Sequence, residues 1–212
     1  MLRVECFGSS LPQDGPHTTV NQDAFIIGGI RPIYWMALAD GAGNAQNCAT
    51  RSLRMFEERI ADVSLAKMLR DDTWTKWVKS MDSALTGGPQ STFVGAAVVG
   101  DEIIGVSAGD SRAYLIPFGE NTARILTSLT NKERLGSGDV KPHVFHTCLQ
   151  PRDVVLLCSD GVWTILGNAV EAVVKTNNLK NFADMPTEII NHASKRGRAD
   201  DMTAVVLRLM RS

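Results

Sequence analysis

Two apolar runs, each about as long as one strand and each cut off by an acid and a glycine, constrain this chain most. Ile33-Tyr34-Trp35-Met36-Ala37-Leu38-Ala39 stops at Asp40-Gly41, and Val154-Val155-Leu156-Leu157-Cys158 stops at Ser159-Asp160-Gly161. Neither alternates polar with apolar residues, so each reads as a strand covered on both faces. A chain of 212 residues, 44% of them hydrophobic and 21% charged, has the material for such covering layers.

Those layers are legible on either side of the runs. Val4 to Phe7 and Ala24 to Ile27 are short β-prone pieces. From Asn44 onward Ala49, Leu53, Phe56 and Ile60 recur at four, three and four residues, which is one face of a helix. A second helical stretch, Ser64 to Leu85, is expected to break near Asp71-Asp72 and to stop at Gly87-Gly88-Pro89. Its Trp74, Trp77 and Met81 fall at helical spacing, as core residues do. Thr92 to Val99, Ile103 to Ala108, Arg112 to Ile116 and Arg124 to Thr127 read as a meander of antiparallel strands joined by short Gly-containing turns. Val144 to Cys148 adds a β-like piece after a polar, poorly patterned stretch. Helices follow near Asn168 to Thr176 and Pro186 to Lys195, and Met202 to Leu209 is a last strand. Strands at both ends with helices between them predict one α+β domain over residues 1–212.

Charge narrows the function. Lys plus Arg number 22 against 23 Asp plus Glu, and no block of like charge occurs, so non-specific binding to nucleic acid or to an anionic membrane is not expected. No apolar stretch approaches the ~18 residues that a membrane-spanning helix needs. Cys6, Cys48, Cys148 and Cys158 are scattered in neither a zinc nor a disulfide pattern, and the first residues do not read as a secretory signal. Reduced, packed thiols and a cytoplasmic location are the expectation. His17, His143, His146 and His192 form no zinc motif either.

The chemistry lies in the acids. Asp40, Asp110, Asp160 and Asp200 all stand at the boundary of an apolar strand, and antiparallel pairing can gather such positions on one rim. Converging carboxylates repel unless a cation lies between them. Oxygen donors without His or Cys favour Mg²⁺ or Mn²⁺ over zinc. Gly41, lacking a side chain, lets its carbonyl approach such an ion.

Five stretches, in order and spanning nearly the whole chain, carry a resemblance to a known family: Asn21-Gln22-Asp23-Ala24-Phe25, Ala39-Asp40-Gly41-Ala42-Gly43, Ser107-Ala108-Gly109-Asp110-Ser111-Arg112-Ala113-Tyr114-Leu115, Leu156-Leu157-Cys158-Ser159-Asp160-Gly161-Val162-Trp163, and Asp200-Asp201-Met202-Thr203-Ala204-Val205-Val206. They resemble the metal-dependent serine/threonine protein phosphatases of the 2C type. The resemblance implies a central antiparallel β-sandwich flanked by helices on both sides, with two Mn²⁺ or Mg²⁺ ions at one end. By position Asp40 looks like the carboxylate bridging both ions, Gly41 like a carbonyl ligand, and Asp160 and Asp200 like the remaining direct ligands. Asp110 matches an acid that joins the Asp160 position at a third, weaker metal site in bacterial relatives. Gln22 and Asp23 would reach the ions through water.

The implied activity is hydrolysis of phosphoserine and phosphothreonine in proteins by metal-activated water, opposing a serine/threonine kinase. Ser159 is not expected to be a nucleophile, because it lacks a GxSxG elbow and a histidine partner. Arg112 is expected to form an ion pair that holds the Asp110 loop. The chain departs from the family at two places: Thr18, after His17, stands where many members have a phosphate-gripping arginine, and Ala42 stands where eukaryotic members have a histidine. The stretch Thr130 to Gln150 is shorter than the usual flap over the site. Two other readings stand beside the enzyme: a pseudophosphatase that keeps the fold as a binding module, and a stress-response regulator with one dedicated phosphoprotein partner.

Overall fold

A computed structural model gives the placement of residues 2–14, 20–42, 46–120, 122–130, 132–178, 181–197 and 200–211, the described residues. His17, Thr18 and Gly43 lie outside them. The chain opens with strands β1 (Leu2–Leu11), β2 (Asp23–Ile30) and β3 (Ile33–Asp40). Three helices follow: α1 (Gln46–Ala61), α2 (Leu65–Met68) and α3 (Asp71–Leu85). The expected break falls at Leu69-Arg70, and Asp71 and Asp72 occupy the first turn of α3, where carboxylates favour the positive end of the helix dipole.

Next come β4 (Phe93–Val99), β5 (Glu102–Ala108), β6 (Arg112–Ile116), β7 (Arg124–Ile125), β8 (His143–Cys148) and β9 (Val154–Cys158). Helices α4 (Asp160–Leu166), α5 (Ala169–Asn178) and α6 (Met185–Ser194) lead to β10 (Met202–Arg211).

The strands form two antiparallel five-stranded sheets, ordered β1-β10-β9-β6-β7 and β2-β3-β4-β5-β8. Met36, Leu38, Val94, Ala96 and Val98 of one sheet pack against Leu115, Val155, Leu157, Val205 and Leu207 of the other. The opposite face of β3 and its neighbours, including Trp35, Ala37 and Phe93, packs on Leu53, Phe56, Trp74, Val78 and Met81 of α1 and α3. The outer face of the second sheet packs on Val162 and Leu166 of α4, Val170 and Val174 of α5, and Ile189 and Ile190 of α6. The architecture is the expected β-sandwich with helices on both sides, and the two unpatterned apolar runs are its central strands β3 and β9.

Two local expectations are corrected. The stretch from Thr92 to Thr127 is not one meander: β4 and β5 pair in one sheet, β6 and β7 in the other, and the chain changes sheets at Gly109-Asp110-Ser111. Gly109 makes the corner with φ +85°, and a Cβ there would stand 2.9 Å from the Thr92 side chain. Also, the helices after β9 are expected to begin near Asn168, whereas α4 already starts at Asp160, with Ser159 as its N-cap.

Candidate metal centre

Antiparallel register builds the acidic rim. Asp23 and Asp40 are direct cross-strand partners at the end of β2 and β3, an arrangement of like charges that destabilises a sheet unless a cation offsets it. In the other sheet Arg112 of β6 and Ala204 of β10 both pair with Cys158 of β9. Asp110, two residues before Arg112, and Asp160, two residues after Cys158, therefore leave adjacent strand ends on the same side. Asp200 and Asp201 precede β10 at that same end. Gly161 is what permits the meeting: a Cβ on it would lie 2.0 Å from the carbonyl oxygen of Asp201.

Backbone and hydroxyl bonds fix the acids. Thr92 accepts from the Asp40 N–H at 3.1 Å, donates its own N–H to the Asp40 carbonyl at 2.8 Å, and shares a 2.7 Å hydroxyl bond with Ser111 beside Asp110. The Asp201 carboxylate accepts from the backbone N–H groups of Gln13 at 2.7 Å and Gln22 at 2.6 Å, while the Gln22 carbonyl accepts from Gly41 at 3.3 Å. Gln22 thus joins the two acidic segments through its main chain. Asp201 and Thr92 had no place in the sequence reading, although Asp201 sits inside a quoted motif.

Electrostatics mark the site as short of positive charge. Burial first, then the charges of Asp23, Asp160 and Asp200, raises the Asp40 carboxyl to about 9, against an opposing pull from Arg134. Burial likewise raises Asp23 to about 7, eased by the nearby hydroxyls of Ser159 and Thr203 and worsened by Asp201 and Asp160. Those hydroxyls are engaged elsewhere, Thr203 with Ser10 at 2.6 Å and Ser159 with the Thr203 N–H at 3.0 Å. Among the described residues no group stands within hydrogen-bond geometry of either Asp23 oxygen, nor of Asp110 Oδ1 or Asp160 Oδ1. Asp160 is raised by burial and by the charges of Asp200 and Asp110.

Buried carboxylate oxygens short of donors, as on Asp23, Asp110 and Asp160, have the chemistry that suits a hard divalent cation. Among the described residues no three His, Cys, Asp or Glu side chains stand close enough together to hold an ion between them. The carboxylates are near neighbours electrostatically, and a backbone carbonyl such as that of Gly41 and water would complete the coordination.

The other candidates fall into place. Ser159 is fully buried and bonded to backbone at both ends of its hydroxyl, so it is no nucleophile. Arg112 does not form the expected ion pair: its guanidinium lies 3.5 Å from the centroid of the Trp163 ring on α4 and donates to the Tyr114 hydroxyl at 3.2 Å. It clamps α4 to β6 behind the acids. His143 bonds the Leu126 carbonyl, and His146, farther along β8 toward the opposite end of the sheet, bonds Glu102. All four cysteines are unpaired; Cys48 and Cys158 are buried, Cys6 is half-buried, and Cys148 is exposed rather than packed.

No family model and no curated protein sequence matches the chain. Solved structures do. A serine/threonine phosphatase of S. agalactiae superposes with a TM-score of 0.84 over 97% of this chain and 99% of that one, at 22% identity. The chain has the fold of bacterial serine/threonine phosphatases. The catalytic domain of the phosphatase PstP, solved with two manganese ions, superposes with a TM-score of 0.80 over the whole of both chains at 19% identity. Stp1 of Staphylococcus aureus, another serine/threonine phosphatase, gives 0.79 over 98% of this chain and 95% of that one at 20% identity.

Proposed function

We propose that this chain is a metal-dependent phosphatase that hydrolyses phosphoserine and phosphothreonine in proteins. The observation that carries the reading is the electrostatic coupling of Asp23, Asp40, Asp110, Asp160 and Asp200 at one end of two sheets, with buried oxygens on Asp23, Asp110 and Asp160 that have no hydrogen-bond donor among the described residues. A scaffold has no need to keep such repelling groups together. The shared fold with phosphatases, one of them solved with two manganese ions, supports the same reading.

In it, Asp40, Asp160, Asp200 and the Gly41 carbonyl would hold two Mn²⁺ or Mg²⁺ ions, Asp110 with Asp160 would offer a third position, and Gln22 and Asp23 would act on the ions through water. Bound there, the ions supply an attacking group from water and neutralise the phosphoryl charge. The protein's own part is positional. Thr92, through its hydroxyl and main chain, and Gln22, through its main chain, hold Asp40 and Gly41 in place, and Asp201 ties the backbone N–H groups of Gln13 and Gln22 to the start of β10. The close approach at Gly161 keeps Asp160 beside Asp200. Burial and mutual repulsion favour one proton on the Asp23–Asp40 pair near neutral pH when no cation is bound, a proton that a bound cation would displace.

The substrate is a phosphoprotein, and the enzyme opposes a serine/threonine kinase. Four unpaired cysteines suit a reducing compartment such as the cytoplasm, and among the described residues no helix is long and apolar enough to cross a membrane. The test is turnover of p-nitrophenyl phosphate and of a phosphothreonine peptide with Mn²⁺ and with chelator. Metal-dependent hydrolysis that Asp160→Asn abolishes is expected. A wild type without metal-dependent turnover, indistinguishable from Asp160→Asn, overturns the reading in favour of a binding module.

A further inference from the structure

We propose that Arg134 grips the substrate phosphate, and that a latch from Asp82 holds it in position to do so; this rests on the phosphatase reading above. A phosphate monoester dianion is best met by a guanidinium, which offers paired donors in one plane. Arg134 is placed for that task by the backbone. Next to it, Leu135 exchanges both main-chain hydrogen bonds with Ser91, at 2.8 and 3.2 Å, and Ser91 in turn bridges to Gly41. With neighbouring strands about 4.8 Å apart, two such steps set Leu135 roughly 10 Å from Gly41. The Arg134 side chain then reaches back over the rim, its Nη2 3.8 Å from Asp110 Oδ1. That is beyond hydrogen-bond length, so the contact leaves the guanidinium donors uncommitted to Asp110. With 31% of its side chain accessible, Arg134 faces both the acids and the solvent from which a phosphopeptide arrives. Its charge is felt at Asp40 and at Asp160.

The latch explains how a stretch without regular structure can hold an arginine in one place. Asp82, buried on α3, accepts from the N–H groups of Gly136 at 2.8 Å and Gly138 at 3.1 Å with Oδ1, and of Val140 at 3.4 Å with Oδ2. Positive φ angles of +91° at Gly136 and +79° at Gly138 curl these donors toward one carboxylate. Leu135 and Val140, both buried, pin the two ends of the curl. The segment is therefore shaped before substrate binds, which lowers the ordering cost of phosphate capture.

The experiment uses the Mn²⁺-loaded protein. Losing a charge-assisted contact to phosphate is expected to raise KM for a phosphothreonine peptide, and the dissociation constant of inorganic phosphate measured by calorimetry, about 10- to 100-fold in Arg134→Ala. The kcat value changes less than KM, and Arg134→Lys recovers part of the loss. Mn²⁺ affinity holds or tightens, because the variant removes a competing cation. Asp82→Asn moves the same two constants in the same direction by a smaller factor, with Mn²⁺ affinity unchanged. Unchanged phosphate affinity in Arg134→Ala overturns the proposal. So does a loss of Mn²⁺ affinity as large as the loss of phosphate affinity, which would make Arg134 an organiser of the acids only. Absent metal-dependent turnover in the wild type refutes the phosphatase reading separately, while the phosphate calorimetry still decides on Arg134.

Discussion

Raising the pH of the metal-free protein should unfold it more easily, and a divalent cation should reverse the effect. Asp40 and Asp23 titrate near 9 and 7 in the folded chain, against an ordinary value of 3.8. Between pH 5 and 7 the folded state therefore keeps a proton that the unfolded state has released. Stability falls as pH rises through that window, by about 1.4 kcal/mol per pH unit for each proton so held. Asp40 and Asp23 repel each other, so protonating one eases the other, and a single shared proton is the sound count. Over two pH units this gives about 2 to 3 kcal/mol, which for a chain of this size lowers Tm by roughly 5 to 10 °C. Asp72, Glu133 and Glu171, whose pKa values are lowered by lysine partners and neighbouring N–H groups, act in the opposite sense but only at lower pH.

Thermal unfolding followed by tryptophan fluorescence, with EDTA or with millimolar MnCl₂, measures this directly. Mn²⁺ binds the ionised carboxylates, so its stabilising effect should be larger at pH 7 than at pH 5. The double variant Asp23→Asn/Asp40→Asn should flatten the pH slope in EDTA and raise Tm at pH 7, because it removes both buried acids whose deprotonation costs stability as pH rises. A metal-free Tm that stays level or climbs from pH 5 to 7 refutes the reasoning. The double variant with the wild-type slope does so as well.

Other substitutions separate positioning from ligation. Gly161→Ala forces a Cβ against the Asp201 carbonyl; a stability loss of about 3 kcal/mol or more in urea unfolding is expected, and a loss under 1 kcal/mol would refute the close approach. Thr92→Val deletes the hydroxyl shared by the Asp40 N–H and Ser111, which should cost about 1 to 3 kcal/mol of stability and weaken Mn²⁺ binding in calorimetry. Arg112→Met should leave Mn²⁺ affinity within about threefold while costing about 1 to 2 kcal/mol through the lost stacking on Trp163; a large loss of metal affinity would place Arg112 in the site itself.

The legible part of this molecule was what local patterns encode. β3 and β9 announced themselves as apolar runs with no solvated face, and α1 through the spacing of Ala49, Leu53, Phe56 and Ile60. Asp40, Asp110 and Asp160 stood out because an acid beside a glycine at a strand end is visible in one short window. The corner at Gly109-Asp110 misled because a Gly-Asp pair serves a hairpin and a change of sheet equally well; only the partner strands decide, and those lie in β8 and β9. Helix α4 was hidden because Asp160-Gly161 opens it, and glycine is a poor helix former that is required there by the Asp201 carbonyl. Thr92, Asp82 and Arg134 were invisible for a deeper reason. Each acts on groups far away in sequence: Asp40 lies 52 residues before Thr92, and Val140 lies 58 residues after Asp82.

Once pairing is known, conflict is itself a signal of the site. A sheet gains nothing from placing Asp23 directly opposite Asp40, and two sheets gain nothing from aiming Asp110, Asp160 and Asp200 at the same rim. Local rules agree with one another through most of this chain, in its apolar strands, its amphipathic helices and its glycine corners. They fail together at one end of the sandwich, where burial, repulsion and missing donors coincide. Such a coincidence persists in a folded chain when something outside the chain relieves it, and here the relief must be positive, small and oxygen-seeking.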